Sequence, residues 1–321
     1  MLPACCAPDD VVPELGRLLE KANGYCRAGK ADATRQAYQK DWHDFARWCL
    51  TVGLCALPAD PTSIALYLTA QAETGHCVTT LTRRLTAIGH AHRLAGHASP
   101  THDAPVPEVM AGIRRTLGTA AHGVDALVAD DIRRMVAGQP DTLQGVRNRA
   151  LLLLGFAGGF RRSELVGLDI EDLQHCAEGL CLTLRRSKTD QEGQGRQVAI
   201  PYGQHAETCP VRAYQDWVTR AGIGTGPVFR PITRHATVRA SRLTGHAVAI
   251  IIKAAAEAVG LDPATVSGHS LRVGHVTTAA RAGVPTHVIM QQTGHRSERV
   301  FRRYIRSAGL FAENSAAGLG L

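Results

Sequence analysis

Residues 267–304 read SGHSLRVGHVTTAARAGVPTHVIMQQTGHRSERVFRRY, and the rest of the chain is organised around this stretch. Ser267 or Ser270 can cap a helix predicted over 270–282, and a second helix is predicted over 285–292. His269 and Arg272 then stand near a helix N-terminus, which favours anions. Two histidines (His269, His295), one arginine (Arg272) and Tyr304 sit at spacings that a plain core helix does not need. The stretch reads as an anion site with a hydroxyl nucleophile at its end.

Composition narrows the ligand. The chain has 321 residues, enough for two domains with real cores. No run approaches the ~18–20 apolar residues of a membrane span. The N-terminus lacks a basic region followed by an apolar one, so it does not read as a secretion signal. A cytoplasmic protein with no membrane partner is expected. Nine cysteines without a C-x-x-C read as free thiols and small core residues, not as a disulfide scaffold. A net charge of +8 and a pI near 9.2 favour a polyanion, with nucleic acid ahead of membrane. Lysine occurs only at positions 21, 30, 40, 188 and 253, so the positive charge is nearly all arginine. Arginine grips phosphate with a planar fork of donors and keeps its charge when buried.

Taken in order, residues 1–30 are expected to form an irregular N-terminal arm. A helical domain over 31–118 follows. Its helices are expected over about 33–50 (capped by Asp32), from Asp60-Pro61 to about 74, over 78–94, and over 107–117 with Val109, Ile113 and Leu117 inward. Arg83 and Arg84 on one helix, and Arg114 and Arg115 on the next, form a basic rim suited to a DNA backbone. Residues 119–125 read as a linker, 126–304 as a second domain and 305–321 as a C-terminal tail. In the second domain a buried-looking helix ends at Gly158-Gly159, and a short helix spans Arg161 to Gly167. Leu180–Arg186 and Arg196–Pro201 alternate as a β-hairpin with Lys188 in its turn. Helices predominate after that. The fold class is mainly α with a small antiparallel β-sheet.

Four short motifs stand in this domain. Arg161 and Glu164 lie one helical turn apart and can pair. Lys188 is a single flexible ammonium on a hairpin. His269-Ser270-Leu271-Arg272 and Gly294-His295 follow, with Tyr304 nine positions after His295. Each is weak alone. Their order and gaps resemble the tyrosine recombinase (phage integrase) family over about 126–304. Among the adjacent arginines, the family's Arg-x-x-Glu spacing selects Arg161, leaving Arg162 as a DNA-backbone contact.

The resemblance implies a helical core-binding domain followed by a catalytic domain. It implies a site-specific recombinase that cuts and rejoins double-stranded DNA through a 3′-phosphotyrosyl link, as a homo-tetramer on two duplexes. A tyrosine hydroxyl, with a pKa near 10, needs help to attack a phosphodiester. Arg161 and Arg272 would grip the non-bridging oxygens. His295 would add a hydrogen bond, His269 would accept the tyrosine's proton, and Lys188 would protonate the leaving 5′ oxygen. Neither ATP, metal nor other cofactor is implied. His275 and His287 are extra histidines, and a metal site from His269, His275 and His295 lacks partner cysteines or carboxylates at ligand spacing. The tail would dock on a neighbouring protomer, and the scheme leaves room for accessory proteins. Integration, excision and resolution of a mobile element or plasmid all fit. The alternatives are a type IB topoisomerase-like enzyme and a DNA-binding regulator without catalysis.

Overall fold

The computed structural model describes residues 13–119, 123–185, 195–295, 297, 298 and 301. Lys188, residues 120–122 of the expected linker, Tyr304 and the tail 305–321 lie outside these residues. The chain divides into two units, Met1–His122 and Gly123–Leu321.

The first unit is all helical: α1 Pro13–Ala28, α2 Asp32–Thr51, α3 Pro61–Glu73, α4 Val78–Leu94 and α5 Val106–Leu117. Asp60 opens α3 as expected, its carboxylate accepting from Thr62 N at 2.7 Å with Pro61 in the first turn. Phe45, Ile64, Tyr67, Leu68, Leu81 and Ile88 close the core of this unit. Three expectations are corrected. The arm over 1–30 contains α1, a helix whose Leu15, Leu18 and Leu19 are exposed. Asp32 is the first residue of α2 rather than its cap, and it pairs with Arg35 one turn on. Leu117 is exposed at the end of α5, whose buried edge is Val106 and Met110.

In the second unit α6 (Ala129–Ala137), α7 (Leu143–Ala157) and α8 (Arg162–Gly167) precede strands β1 (Leu173–Cys176), β2 (Gly179–Leu184) and β3 (Arg196–Pro201). Helices α9 (Pro210–Arg220), α10 (Gly245–Glu257), α11 (Ser270–Arg281) and α12 (Thr286–Thr293) follow. The run Ala150–Leu154 is buried all round because α7 packs against α6, α9 and α11. Each fully buried leucine there contributes roughly 1.5–3 kcal/mol. Packing therefore outweighs the few tenths of a kcal/mol that helix propensity supplies per residue. Gly155 admits α11, since a Cβ there would come within 2.8 Å of Leu271 Cδ1.

The strands form one antiparallel sheet in the order β1-β2-β3. Leu180 pairs with Ile200 and Leu182 with Val198, which sets the buried face. β1 was not expected. Its short, half-polar LQHC segment carries no strand pattern of its own, and pairing with β2 defines it. Among the described residues no helix is long and apolar enough to cross a membrane.

Candidate active site

The site begins where α7 stops. Gly158 ends the helix, and Gly159 takes a left-handed backbone at φ +56°. A Cβ at Gly159 would lie 2.8 Å from Thr293 Cγ2 and 3.1 Å from the His275 ring, so close approach also demands glycine. The turn presents the Gly159 carbonyl to Arg272, whose Nη1 donates to it at 2.7 Å.

Arg161 is the residue preceding α8. Its backbone N–H donates to Glu164 Oε2 at 2.9 Å and its Nη1 to Glu164 Oε1 at 2.6 Å. Glu164 is 3 % exposed, so it works as an interior bracket for the guanidinium. This is more than a surface ion pair, because the carboxylate is desolvated and held by two donors of one residue. Arg162 points elsewhere. It is exposed and lies across Gly245 and Gly268, where a Cβ at Gly268 would meet its Cδ at 2.6 Å.

His269 stands immediately before α11, half-buried, its backbone N–H donating to Ser267 Oγ at 3.1 Å. Ser270 Oγ accepts from Ser267 N at 2.9 Å, which tightens the turn. The expected serine cap is corrected: His269 is the N-cap, no side chain caps α11, and the two serines brace the turn before it instead. Arg272 follows in the first turn of α11 and is 1 % exposed. Its Nη2 lies 3.1 and 3.3 Å from the two ring nitrogens of His295.

His295 is delivered by the end of α12. Gly294 is left-handed (φ +67°), and His295 N donates back to Met290 O at 3.0 Å, a C-cap that only glycine makes readily. Thr293 Oγ1 donates to Ile289 O at 2.6 Å and therefore accepts from His295 Nδ1 at 2.7 Å. Phe301 is fully buried with Val276 and Ile289, its ring 5.2 Å from the His295 ring.

Burial, followed by the charge of Arg272, pushes His295 down to about 3. Burial likewise pushes His275 down to about 4, with its Nδ1 donating to Phe156 O at 2.9 Å. Both rings are neutral at pH 7, and His275 is a structural strut behind Gly159. A folded-state pKa below the unfolded ~6.5 gives stability that is complete above pH 6.5 and lost as pH falls towards the folded values. The melting temperature should therefore decline between about pH 6.5 and 4, and His275→Gln should flatten that decline. An unchanged slope in the variant would show that His275 ionises freely.

Two participants were missed by the sequence reading. Arg196, first residue of β3, donates from Nη1 to Gln292 O at 2.6 Å, and its Nη2 is 3.6 Å from Glu164 Oε2. It shares the inward face of β3 with Val198 and Ile200, and that alternation could have flagged a charge aimed at the interior. Phe301 was the other, its signal being an aromatic in an otherwise basic segment.

The arginines of the first unit divide. Arg83 makes a two-pronged bond to buried Asp41 at 2.7 and 3.0 Å, and Arg84 is bound by Asp44, Tyr67, Gln71 and His76. Their charge is thus balanced by two aspartates of α2 rather than left bare on a rim. Arg114 and Arg115 are exposed in the last turn of α5. Among the described residues no three His, Cys, Asp or Glu side chains are grouped to hold a metal ion.

Comparison with known proteins gives the same picture. Residues 125–309 match the phage integrase family. The integrase/recombinase XerD homolog of Selenomonas ruminantium is 40% identical over 303 residues, covering 93% of this chain and 89% of that protein. The recombinase Cre of Escherichia phage P1 is 25% identical over 283 residues, 82% of this chain and 80% of its own. The solved structure of XerH site-specific recombinase bound to palindromic difH substrate shares the fold, with a TM-score of 0.60 at 16% identity over 80% of this chain and 72% of that one. A match to more than half of the chain, and a relative of 40% identity aligned over nearly all of it, mean that the chain belongs to the phage integrase family of tyrosine recombinases.

Proposed function

We propose that this protein cuts and rejoins double-stranded DNA at specific sites, with Tyr304 as the nucleophile and Arg161 and Arg272 as the phosphate clamp. One observation carries the reading. Arg272 spans from the Gly159 carbonyl to His295, beside an Arg161 held by Glu164, so motifs more than a hundred residues apart meet in one hydrogen-bonded cluster. Phe301 supports it further. Its ring packs against that of His295, and it stands three residues before Tyr304 in the sequence.

In this reading the Tyr304 hydroxyl attacks phosphorus while its proton passes to His269. The bond from phosphorus to the 5′ oxygen breaks, and Lys188 protonates that oxygen. Arg161 and Arg272 stabilise the extra charge on the non-bridging oxygens. His295, held neutral, donates a hydrogen bond in its other tautomer once phosphate replaces its present contacts. The phosphotyrosyl link keeps the energy of the diester, so the 5′ hydroxyl of another strand reverses the step without ATP.

Exchange between two duplexes calls for four active centres, hence a homo-tetramer assembled on DNA. The first unit and its exposed Arg114 and Arg115 would grip the backbone, with Arg162 beside the centre. Arg83 and Arg84, already bound to carboxylates, would contact DNA only by exchanging those partners. The cytoplasm is the compartment where such DNA lies. Movement of a mobile element or resolution of a plasmid are the tasks that fit. A duplex nicked near the cleavage point, so that the cut fragment diffuses away, tests the reading: the protein should accumulate as a covalent DNA adduct on a denaturing gel. No adduct on any duplex that it binds specifically would refute catalysis.

A further inference from the structure

Arg196 is an expensive residue to keep. Its Nε and Nη2 are buried without a hydrogen bond, and burial lowers its pKa even though Glu164 opposes that. The nearby charge of Arg161 lowers it further. A methionine or leucine would fill the same space without a desolvated charge. What the guanidinium does, and a hydrocarbon would not, is join three parts of the centre.

Its Nη1 caps the Gln292 carbonyl, one of the orphan acceptors at the end of α12. Its Nη2 faces the Glu164 oxygen that also accepts from the Arg161 backbone. Its Nε lies where a side chain on Gly294 would be, 2.8 Å from the Cβ position, so the left-handed residue that turns the chain into His295 rests on it. The Gln292 side chain reinforces the join, donating to Ala199 O of β3 at 3.2 Å. The end of α12 is thus fastened to β3, the strand that follows the segment containing Lys188.

We propose that Arg196 is a positioning residue of the reaction centre. By bonding the Gln292 carbonyl and backing Gly294, it sets where His295 meets the scissile phosphate. This rests on the recombinase reading above, and it makes β3 the mount of the turn that carries His295.

Single-turnover cleavage of the nicked duplex tests it in a double-mutant cycle with His295. Arg196→Gln should slow adduct formation about 10–100-fold at near-constant DNA affinity, the size expected for a group that orients a reacting one. In a His295→Ala background the same change should slow it less than about threefold, because the group it positions is gone. Arg196→Lys keeps the charge but not the planar fork, and should recover only part of the rate. A melting curve checks folding, and if Arg196→Gln is unfolded the cycle is run with Arg196→Lys. Equal losses in the two backgrounds would mean that Arg196 acts on the fold alone and would overturn the proposal, as would wild-type cleavage by Arg196→Gln. A wild-type chain that forms no adduct refutes the recombinase reading itself, which leaves Arg196 no reaction to position.

Discussion

Tyr304→Phe is expected to abolish the covalent adduct, lowering its formation at least ~10⁴-fold, on the scale seen when a nucleophile is removed from an otherwise intact centre. Only the hydroxyl is lost, so specific DNA affinity should stay within about twofold, a phenyl ring being close to the volume of a phenol. The nearby hydroxyls are poor substitutes. Thr293 is buried and donates to Ile289 O, while the Ser270 hydroxyl accepts from Ser267 N at the turn before α11. Retention of an adduct would assign the nucleophile to another residue and leave the clamp without its partner.

The second large effect belongs to Arg272. Arg272→Lys should reduce cleavage about 10²–10³-fold, comparable to losing one preorganised donor of a transition-state oxyanion site. Lysine keeps the charge, but a single ammonium cannot both hold the Gly159 carbonyl and face His295. Arg272→Ala goes further and leaves the buried Gly159 carbonyl without this donor, at about 1–3 kcal/mol of stability. Comparing the two separates chemistry from folding: the melting point should fall mainly in the alanine variant, and the rate in both. Arg161→Ala should match the loss in rate, since groups that act as a unit are not additive. Wild-type rates in Arg272→Lys would remove the phosphate clamp from the mechanism.

Much of this was legible in the chain because the signals are local. Asp60-Pro61 marks a helix start within two residues, and Leu180, Leu182, Val198 and Ile200 mark two strands by alternation alone. The family resemblance rested on the order of Arg161, Lys188, His269, Arg272, His295 and Tyr304; the fold brings Arg161 into contact with Glu164 and Arg272 with His295, while Lys188 and Tyr304 lie outside the described residues. What escaped depends on distant partners. β1 is a strand only because β2 lies beside it. Arg83 and Arg84 looked like a bare rim, since their acids, Asp41 and Asp44, sit on another helix some forty residues earlier. Arg196 looked like the polar start of a strand until Gln292, 96 residues on, supplied its acceptor.

The bond from Arg272 to the Gly159 carbonyl spans 113 residues of chain. Closing a loop of that length in an unfolded chain costs on the order of 4 kcal/mol in entropy. One charged hydrogen bond returns only about 1.5–3 kcal/mol, so it cannot close the loop by itself. The seating of Leu271 against Gly155, and the burial of α7 around it, must close it first. The Arg161–Glu164 pair is local, but the Arg272 half of the cluster waits on the packing of α11 against α7. The complete cluster is therefore a product of tertiary folding, assembled only where the second unit has closed.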